Sequence, residues 1–168
     1  METREWKLKH MATIISVDQI DETIKPLKQK GENIILTGGC FDILHPGHIE
    51  FLSNTKKLGG KLVVLLESDE TVKRLKGEGR PVHTQHDRAY VLAHLSPVDV
   101  VILLPQFNNN EDYEHLVAAL SPDIIAITKD DPVKKYVEPQ AIKIGAKLIE
   151  VVERRPYATS SITKRLNI

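Results

Sequence analysis

Short apolar runs that lack polar alternation recur along this chain, and a helical pattern separates each from the next. Five runs are predicted as strands, at residues 33–36, 61–66, 98–104, 124–127 and 147–152. Strands without alternation are typical of a sheet that is covered on both faces. Because parallel neighbours need a crossover between them, this order of elements predicts an α/β fold with a mostly parallel sheet.

Helical periodicity fills the segments between these strands. Helices are predicted at residues 17–30, 49–58, 70–75, 88–95, 111–120 and 132–144, and a last helix is predicted to begin near Ser160 or Ser161. The predicted boundaries include N-caps at Asp69 and Asn110, a capping box at Thr84 and Asp87, and a stop at Gly145. Residues 13–168 are therefore expected to form a single Rossmann-like domain, with a five-stranded sheet and helices on both faces. Residues 1–12 are charged and unpatterned, and we expect a disordered extension or an expression leader there.

Composition excludes several classes of function. The chain of 168 residues carries 23 basic and 23 acidic side chains, so no net field draws it to nucleic acid. No apolar run reaches the length of a membrane span, and no signal-peptide pattern is present. Cys40 is the only cysteine, which excludes an internal disulfide and fits a cytoplasmic location.

Polar and glycine-rich segments follow the predicted strands. Ligands of open parallel sheets bind beyond the carboxyl ends of the strands. Four segments should therefore meet at one rim of the sheet: residues 37–48, 73–80, 128–131 and 154–161.

The first of these segments has the features of an anion site. Gly38 and Gly39 allow a ligand to approach the backbone closely, and Pro46 suits the first turn of a helix. The free N–H groups of that turn bind anions such as phosphate. A nucleoside triphosphate is therefore expected at this turn.

Two histidines in the same segment indicate the chemistry. His45 and His48 lie three residues apart, so both can project to one side of a helix start. A metal would need at least one further ligand, and no base is evident for Cys40 as a nucleophile. The pattern favours two imidazoles that stabilise charge during phosphoryl or nucleotidyl transfer.

The segment Gly-Cys-Phe-Asp-Ile-Leu-His-Pro-Gly-His, residues 39–48, resembles the G-x-F-D-x-x-H-x-G-H signature of the HIGH-motif nucleotidyltransferase superfamily, which is cytidylyltransferase-like. The resemblance implies transfer of a nucleoside monophosphate from ATP or CTP to a phosphate-bearing acceptor, with release of pyrophosphate. Residues 68–77 and 79–82 are similar to the branch that adenylylates heptose 1-phosphate.

Two later segments depart from that branch. Residues 128–131 read Thr-Lys-Asp-Asp where the branch has Gly-Gly-Asp-Tyr, so only Asp130 matches. Residues 158–161 read Ala-Thr-Ser-Ser and keep all but one hydroxyl of a Ser-Thr-Ser/Thr signature. Arg154 and Arg155 resemble the arginine of cytidylyltransferases, which keeps CTP as an alternative to ATP.

The resemblance implies roles for individual residues. The expected catalytic residues are His45, His48, Lys73 and Arg88, and the expected nucleotide-binding residues are Gly39, Cys40, Phe41, Asp42, Gly47, Lys76, Asp130, Thr159, Ser160 and Ser161. Mg²⁺ is expected to accompany the nucleotide, held by phosphate and water rather than by protein side chains. The family also implies a homodimer.

Structural interpretations compete with several of these roles. Phe41 is more typical of a core residue than of a ligand contact, and Cys40 of a small turn residue. Lys73 and Lys76 could belong to a solvated loop, and Arg88 could pair with Asp87. Helix capping is an alternative for Asp130 and for residues 159–161.

Competing functions divide between enzymes and a binding protein. A sugar phosphate is the first choice of acceptor. FMN adenylyltransferase (FAD synthase) and glycerol-3-phosphate cytidylyltransferase are the enzyme alternatives, and a nucleotide-binding regulatory protein is the alternative without catalysis. Release of pyrophosphate would separate the enzymes from the regulator.

Overall fold

Residues 11–153 are described by the structure, which is a computed structural model. Within this range the chain forms six strands: β1 (Thr13–Ser16), β2 (Ile34–Gly39), β3 (Lys61–Leu66), β4 (Val100–Leu103), β5 (Ile124–Ile127) and β6 (Lys147–Glu150). All adjacent strands are parallel, in the order β1-β4-β3-β2-β5-β6. The predicted α/β class and parallel sheet are confirmed.

Six α-helices connect or follow the strands: α1 (Ile20–Gln29), α2 (Pro46–Lys56), α3 (Asp69–Lys76), α4 (Gln85–Ala93), α5 (Asn110–Leu120) and α6 (Lys134–Ile144). Strand residues alternate between two apolar clusters. Ile34 and Leu36 pack with α1, α5 and α6, whereas Ile35 packs with α2 and α4. Helices therefore cover both faces, as predicted.

The strand count is a correction, because the predicted sheet had five strands and the structure has six. The additional strand is β1, whose Thr13 and Ser16 lie opposite Val100 and Leu103 of β4. Its sequence, Thr-Ile-Ile-Ser, has only two apolar residues between polar ones and so gives no continuous apolar run. It is the hydrogen bonding to β4 that fixes the extended conformation of these residues.

Boundaries differ at three informative places. β2 continues through Gly38 and Gly39, which were expected to lie in the turn. Ser68, rather than Asp69, caps α3, because its hydroxyl accepts the Thr71 N–H at 3.2 Å. Asn109, rather than its neighbour, caps α5. A shift of one residue is the usual error when several capping residues are adjacent.

Other predicted signals are confirmed. The Thr84 hydroxyl accepts the Asp87 N–H at 3.2 Å and caps α4. Gly145 ends α6 in the left-handed conformation, with φ of 74°. The proposed extension at residues 1–12 stays a prediction, since residues 1–10 lie outside the described range. The helix predicted from Ser160 or Ser161 also lies outside it.

The chain changes direction in the sheet between β2 and β5. β2, β3 and β4 follow one another toward one edge, and β5 and β6 then lie on the opposite side of β2. Such a switch point leaves a crevice outside the carboxyl ends of the two strands. The segment that follows β2 therefore occupies the position where α/β sheets bind ligands.

Candidate functional site

A cleft of about 810 Å³ opens at this rim of the sheet. Residues after five of the six strands line it, including Cys40 after β2, Glu67 after β3, Leu104 after β4, Thr128 after β5 and Val152 after β6. The size suits a nucleotide or a similar small molecule. The expectation that the polar segments meet at one rim is met for the segments within residues 11–153.

The turn after β2 is shaped by its aromatic residue. Phe41 is buried and adopts a positive φ of 43°. A Cβ at Gly39 would lie 3.1 Å from the Phe41 ring, so glycine at this position lets the ring pack closely against the end of β2. Phe41 lines the cleft as well as the core, and the two interpretations of this residue are compatible.

The two histidines stack at the start of α2. Their ring centroids are 3.8 Å apart, and the planes differ by 24°. His45 is the N-cap residue, and its carbonyl accepts the His48 N–H at 2.9 Å. A Cβ at Gly47 would lie 3.1 Å from the His45 ring. Glycine at this position therefore allows the His45 ring to fold back over the helix N-terminus.

Burial keeps the histidine pair neutral. Desolvation, followed by the charges of His45 and Lys76, lowers the pKa of His48 from 6.5 to about 4. Desolvation also lowers the pKa of His45. Within the described part of the chain, the Nδ1 atom of each ring is buried without a hydrogen-bond partner. Neutral imidazoles without local partners can accept a proton or donate to an incoming phosphate.

Asp42 holds a neighbouring loop in place. Its carboxylate forms an ion pair with Arg80, and it accepts the backbone N–H groups of Val82 at 2.8 Å and His83 at 3.2 Å. The Asp42 side chain is only 1% exposed. These bonds occupy most of its acceptor capacity. Asp42 lines the cleft and orients the loop at residues 80–83.

Arg88 is buried beneath the cleft and does not line it. Its guanidinium donates to the backbone carbonyls of Cys40, Glu67 and His83 and to the carboxylate of Asp69. Its side chain is 1% exposed. The geometry makes Arg88 a positioning residue, because one planar group joins the ends of β2 and β3 to the start of α4.

The basic side chains within residues 73–80 divide between the cleft and the solvent. Arg74, Lys76 and Arg80 line the cleft, whereas Lys73 lies outside the lining and pairs with Glu78 at 3.3 Å. Lys76 lies near enough to the histidines to lower the pKa of His48. Arg80 is buried, and its Nη2 atom has no hydrogen-bond partner among the described residues. Arg74, Lys76 and Arg80 are therefore the members of this group whose charges lie at the cleft.

The nucleophile interpretation of Cys40 gains no support. Burial raises the pKa of its thiol, which keeps the sulfur protonated at neutral pH. The useful group of this residue is its backbone, whose carbonyl accepts from Arg88.

At the end of β5, the acidic residue that lines the cleft is not the predicted one. Asp130 is exposed, has a positive φ of 56° and does not line the cleft. Asp131 lines it, accepting the Thr128 hydroxyl at 2.8 Å and the Val133 N–H at 3.1 Å. Thr159, Ser160 and Ser161 lie outside the described residues, so their roles stay predictions.

Further lining residues were not identified from the sequence. Arg80 lies in a predicted rim segment but was not among the expected site residues. A second group comes from the end of β3, the loop after β4, α5 and α6: Glu67, Asn108, Asn109, Asn110, Tyr113, Tyr136 and Gln140. Glu67 could have been found by its place directly after a predicted strand. The sequence gives no such signal for the residues of α5 and α6, because the direction of their side chains depends on how these helices pack.

Among residues 11–153, no group of three or more histidine, cysteine or acidic side chains could hold a metal ion. None of the described helices is both long enough and apolar enough to cross a membrane.

Comparison with known proteins gives relatives over most of the chain. This chain is 41% identical to the bifunctional protein HldE of Wolinella succinogenes over 153 residues, and it is 40% identical to the HldE protein of Nitratiruptor over 149 residues. These matches cover 91% and 89% of this chain but 31% of each relative. The chain thus spans about a third of the length of these curated relatives.

Solved structures share the fold. The lipopolysaccharide core biosynthesis protein of Thermoplasma volcanium has a TM-score of 0.59 and 29% identity, covering 76% of this chain and all of its own. Pantoate-beta-alanine ligase of Francisella tularensis has a TM-score of 0.64 at 16% identity, covering 86% of this chain and 69% of its own, which shows the fold alone.

The family profile described as cytidylyltransferase-like matches residues 36–166, a range that begins in β2 and includes both histidines. The match covers more than half of the chain, and the relatives above agree with it. On sequence and fold together, this chain belongs to the cytidylyltransferase-like family.

Proposed function

We propose that this chain transfers a nucleoside monophosphate from a nucleoside triphosphate to a phosphate-bearing acceptor and releases pyrophosphate. The observation that carries the proposal is the stacked, neutral pair of His45 and His48 at the start of α2. The pair lies at the switch point of the sheet, where a helix N-terminus and two imidazoles can contact the same phosphate.

The reaction is an in-line displacement at the α-phosphorus. An oxygen of the acceptor phosphate attacks, and the bond to the β-phosphate oxygen breaks, so pyrophosphate leaves with the electron pair. The acceptor phosphate is already ionised, and no general base is required. His45 and His48 stabilise charge that develops on the α-phosphate, which is the kind of positioning catalysis that phosphoryl transfer needs.

Countercharge for the leaving pyrophosphate comes from Lys76 and Arg80, which line the cleft. Lys73 and the hydroxyl groups of residues 159–161 are further candidates. Arg88 acts by holding the carbonyls of Cys40 and Glu67 in place. Asp42 acts in the same indirect way, by fixing the loop that presents Arg80.

Mg²⁺ would enter with the nucleotide and offset the charge of its phosphates. The described residues fit this arrangement and do not fit a protein-built metal site. They form no cluster of three metal-ligating side chains, and the bonds to Arg80, Val82 and His83 already occupy Asp42.

ATP and a sugar phosphate are the proposed substrates. Residues 68–77 and 79–82 resemble the branch acting on heptose 1-phosphate, and that region forms α3 and the loop held by Asp42. The long match to two HldE proteins is consistent with this assignment. A homodimer is proposed from the family resemblance and can be measured by light scattering.

A pyrophosphate-release screen tests the function. ATP and CTP would each be combined with heptose 1-phosphate, FMN, glycerol 3-phosphate and phosphoethanolamine. We expect release with ATP and heptose 1-phosphate. His86 is exposed and lies outside the cleft lining, so His86→Ala should retain turnover. Nucleotide binding without pyrophosphate release from any pair would refute the enzyme and favour a nucleotide-binding regulator.

A further inference from the structure

Glu67 is an acidic residue in the wall of a cleft that is otherwise suited to phosphate. It directly follows β3, and its backbone N–H donates to the Gly39 carbonyl at 3.2 Å. Its own carbonyl accepts from Arg88 at 2.8 Å, and the same guanidinium bonds the Cys40 carbonyl. The backbone of Glu67 is therefore fixed against the turn that carries the histidine motif.

The side chain of Glu67 is held as firmly as its backbone. The Tyr113 hydroxyl, from α5, donates to the Glu67 Oε2 atom at 2.9 Å. The Tyr113 ring packs edge-on against Phe107, with centroids 4.9 Å apart, and the Phe107 carbonyl accepts from Arg74 at 3.1 Å. All four residues line the cleft. The Tyr113 hydroxyl thus fixes one oxygen of the carboxylate, and Phe107 and Arg74 support the position of the Tyr113 ring.

The surroundings of this carboxylate limit what it can bind. Burial raises the pKa of Glu67, and the Tyr113 hydrogen bond and the charges of Arg74 and Arg88 oppose that effect. A carboxylate has about four acceptor sites, and the Tyr113 hydroxyl uses one of them. Glu67 lines the cleft, so the remaining sites can accept hydrogen bonds from a ligand that displaces water there.

Three other roles for the Glu67 carboxylate fit poorly: binding a phosphate, holding a metal ion and acting as a general base. A phosphate group would be repelled by the carboxylate. A metal ion held by protein side chains alone would need more ligands, and the described residues provide no cluster of three. A role as a general base is unnecessary for an ionised phosphate acceptor. Among the groups of a sugar phosphate, the hydroxyl groups are the donors that a carboxylate can accept.

We propose that Glu67, held by Tyr113, accepts hydrogen bonds from hydroxyl groups of the acceptor and so selects polyhydroxylated phosphate esters. This inference rests on the proposed function, because it assigns a subsite to the acceptor of that reaction. It places the acceptor on the side of the cleft formed by the ends of β3 and β4, next to the histidine pair.

Equilibrium binding tests the subsite without requiring turnover. Calorimetry would measure heptose 1-phosphate and its ring-deoxy analogues in the presence of a non-hydrolysable ATP analogue. Glu67→Gln keeps the shape and the bond from Tyr113 but removes the charge. We expect about tenfold or more weaker binding of heptose 1-phosphate, with affinity for the ATP analogue changed less than about threefold. Tyr113→Phe should cause a smaller loss of the same kind.

The comparison between acceptors separates recognition from a general structural role. Wild-type protein should prefer heptose 1-phosphate over the least favoured deoxy analogue by about tenfold or more, and Glu67→Gln should reduce that preference to within about threefold. Glu70→Gln is the matched control, since Glu70 is exposed, lies three residues away and is not in the lining. Its preference should equal that of wild type.

Each other outcome has a defined meaning. An unchanged preference in Glu67→Gln, or a loss confined to the ATP analogue, overturns the subsite. Failure of wild-type protein to bind heptose 1-phosphate overturns it as well. Binding with the expected preference but without pyrophosphate release refutes the proposed reaction and leaves the subsite standing. Thermal unfolding of each variant confirms that the fold is retained.

Discussion

The two sides of the cleft differ in how firmly they are held. The β2 side consists of residues 39–48, 67–69 and 80–88, and the β5 side of residues 128–134 and 150–153. On the β2 side, Asp42 and Arg88 are buried and each bonds to three or more groups. On the β5 side, Lys129 pairs with Glu153 in largely exposed positions.

We propose that this difference separates the residues for nucleotidyl transfer from those for ligand recognition. Transfer at phosphorus depends on donors that are already in place before the ligand arrives, and the β2 side provides them. It also contains the motif that resembles the superfamily most closely. The β5 side departs from the heptose branch in sequence and has few internal bonds, so it is free to vary with the ligand. Four predictions test this division.

Loss of Asp42 should have the largest effect. Asp42→Ala leaves the Arg80 guanidinium buried without its partner and frees the Val82 N–H. Removing one member of a buried ion pair costs about 3–5 kcal/mol of unfolding free energy. Asp131→Ala is the matched change on the β5 side, and it should cost about 1 kcal/mol. Urea unfolding of both variants measures the contrast, and equal losses would remove the distinction between the sides.

The histidine pair should dominate turnover. His48→Ala removes a group that stabilises the transition state, and we expect kcat to fall by at least about 100-fold. The fold should remain, because the ring lies at a helix start rather than in the core. Pyrophosphate release measures the effect, and far-ultraviolet circular dichroism checks the fold. A variant with near wild-type turnover would contradict the proposed chemistry.

Acid should weaken the β2 side through His48. The folded protein holds the pKa of this ring at about 4, against 6.5 when it is exposed. Between these values the unfolded chain binds a proton that the folded protein does not, so stability falls as pH falls through that window. The expected loss by pH 4.5 is about 2 to 3 kcal/mol.

His48→Gln removes this contribution, and urea unfolding at pH 7 and pH 4.5 compares the two proteins. The variant should lose less stability on acidification than wild type. The pKa of His45 is lowered as well, so a smaller acid effect remains in the variant. An identical loss in both proteins would mean that His48 titrates normally.

The surface pairs of the β5 side should have the smallest effect. Lys129 and Lys134 form ion pairs with Glu153 and Glu150, each at 3.1 Å. Hydrogen bonding to these carboxylates raises the pKa of both amines, but exposed pairs contribute little because water and salt screen them. Lys129→Ala and Lys134→Ala should unfold at the same urea concentration as wild type, at low and high salt. A clear shift at low salt would show that this side is more ordered than its contacts indicate.

Much of the fold was accessible from sequence because its signals are local. Buried parallel strands are continuous apolar runs, and caps such as Thr84 act over three residues. β1 was missed because its four residues have no pattern of their own. The one-residue errors at Ser68 and Asn109 arose where two capping residues are adjacent.

The site was only partly accessible in the same way. The order of residues 39–48 identified the histidines, and the structure brings them into contact. Lys73 and Asp130 were expected in the site, but they lie outside the cleft lining. The directions of these two side chains depend on the path of the backbone at the end of α3 and on the left-handed conformation of Asp130. Neither is visible in residue spacing.

The sequence by itself determined the α/β class, the position of the glycine-rich turn after β2 and the pair of imidazoles within it. These follow from hydrophobic pattern, from glycine and proline positions and from the spacing of two histidines along one helix turn. Only the tertiary structure decided that Arg88 supports the site from beneath, that Asp42 holds Arg80, and that Tyr113 positions Glu67. These partners are between 21 and 46 residues apart in the chain, and the sheet order is what brings them together.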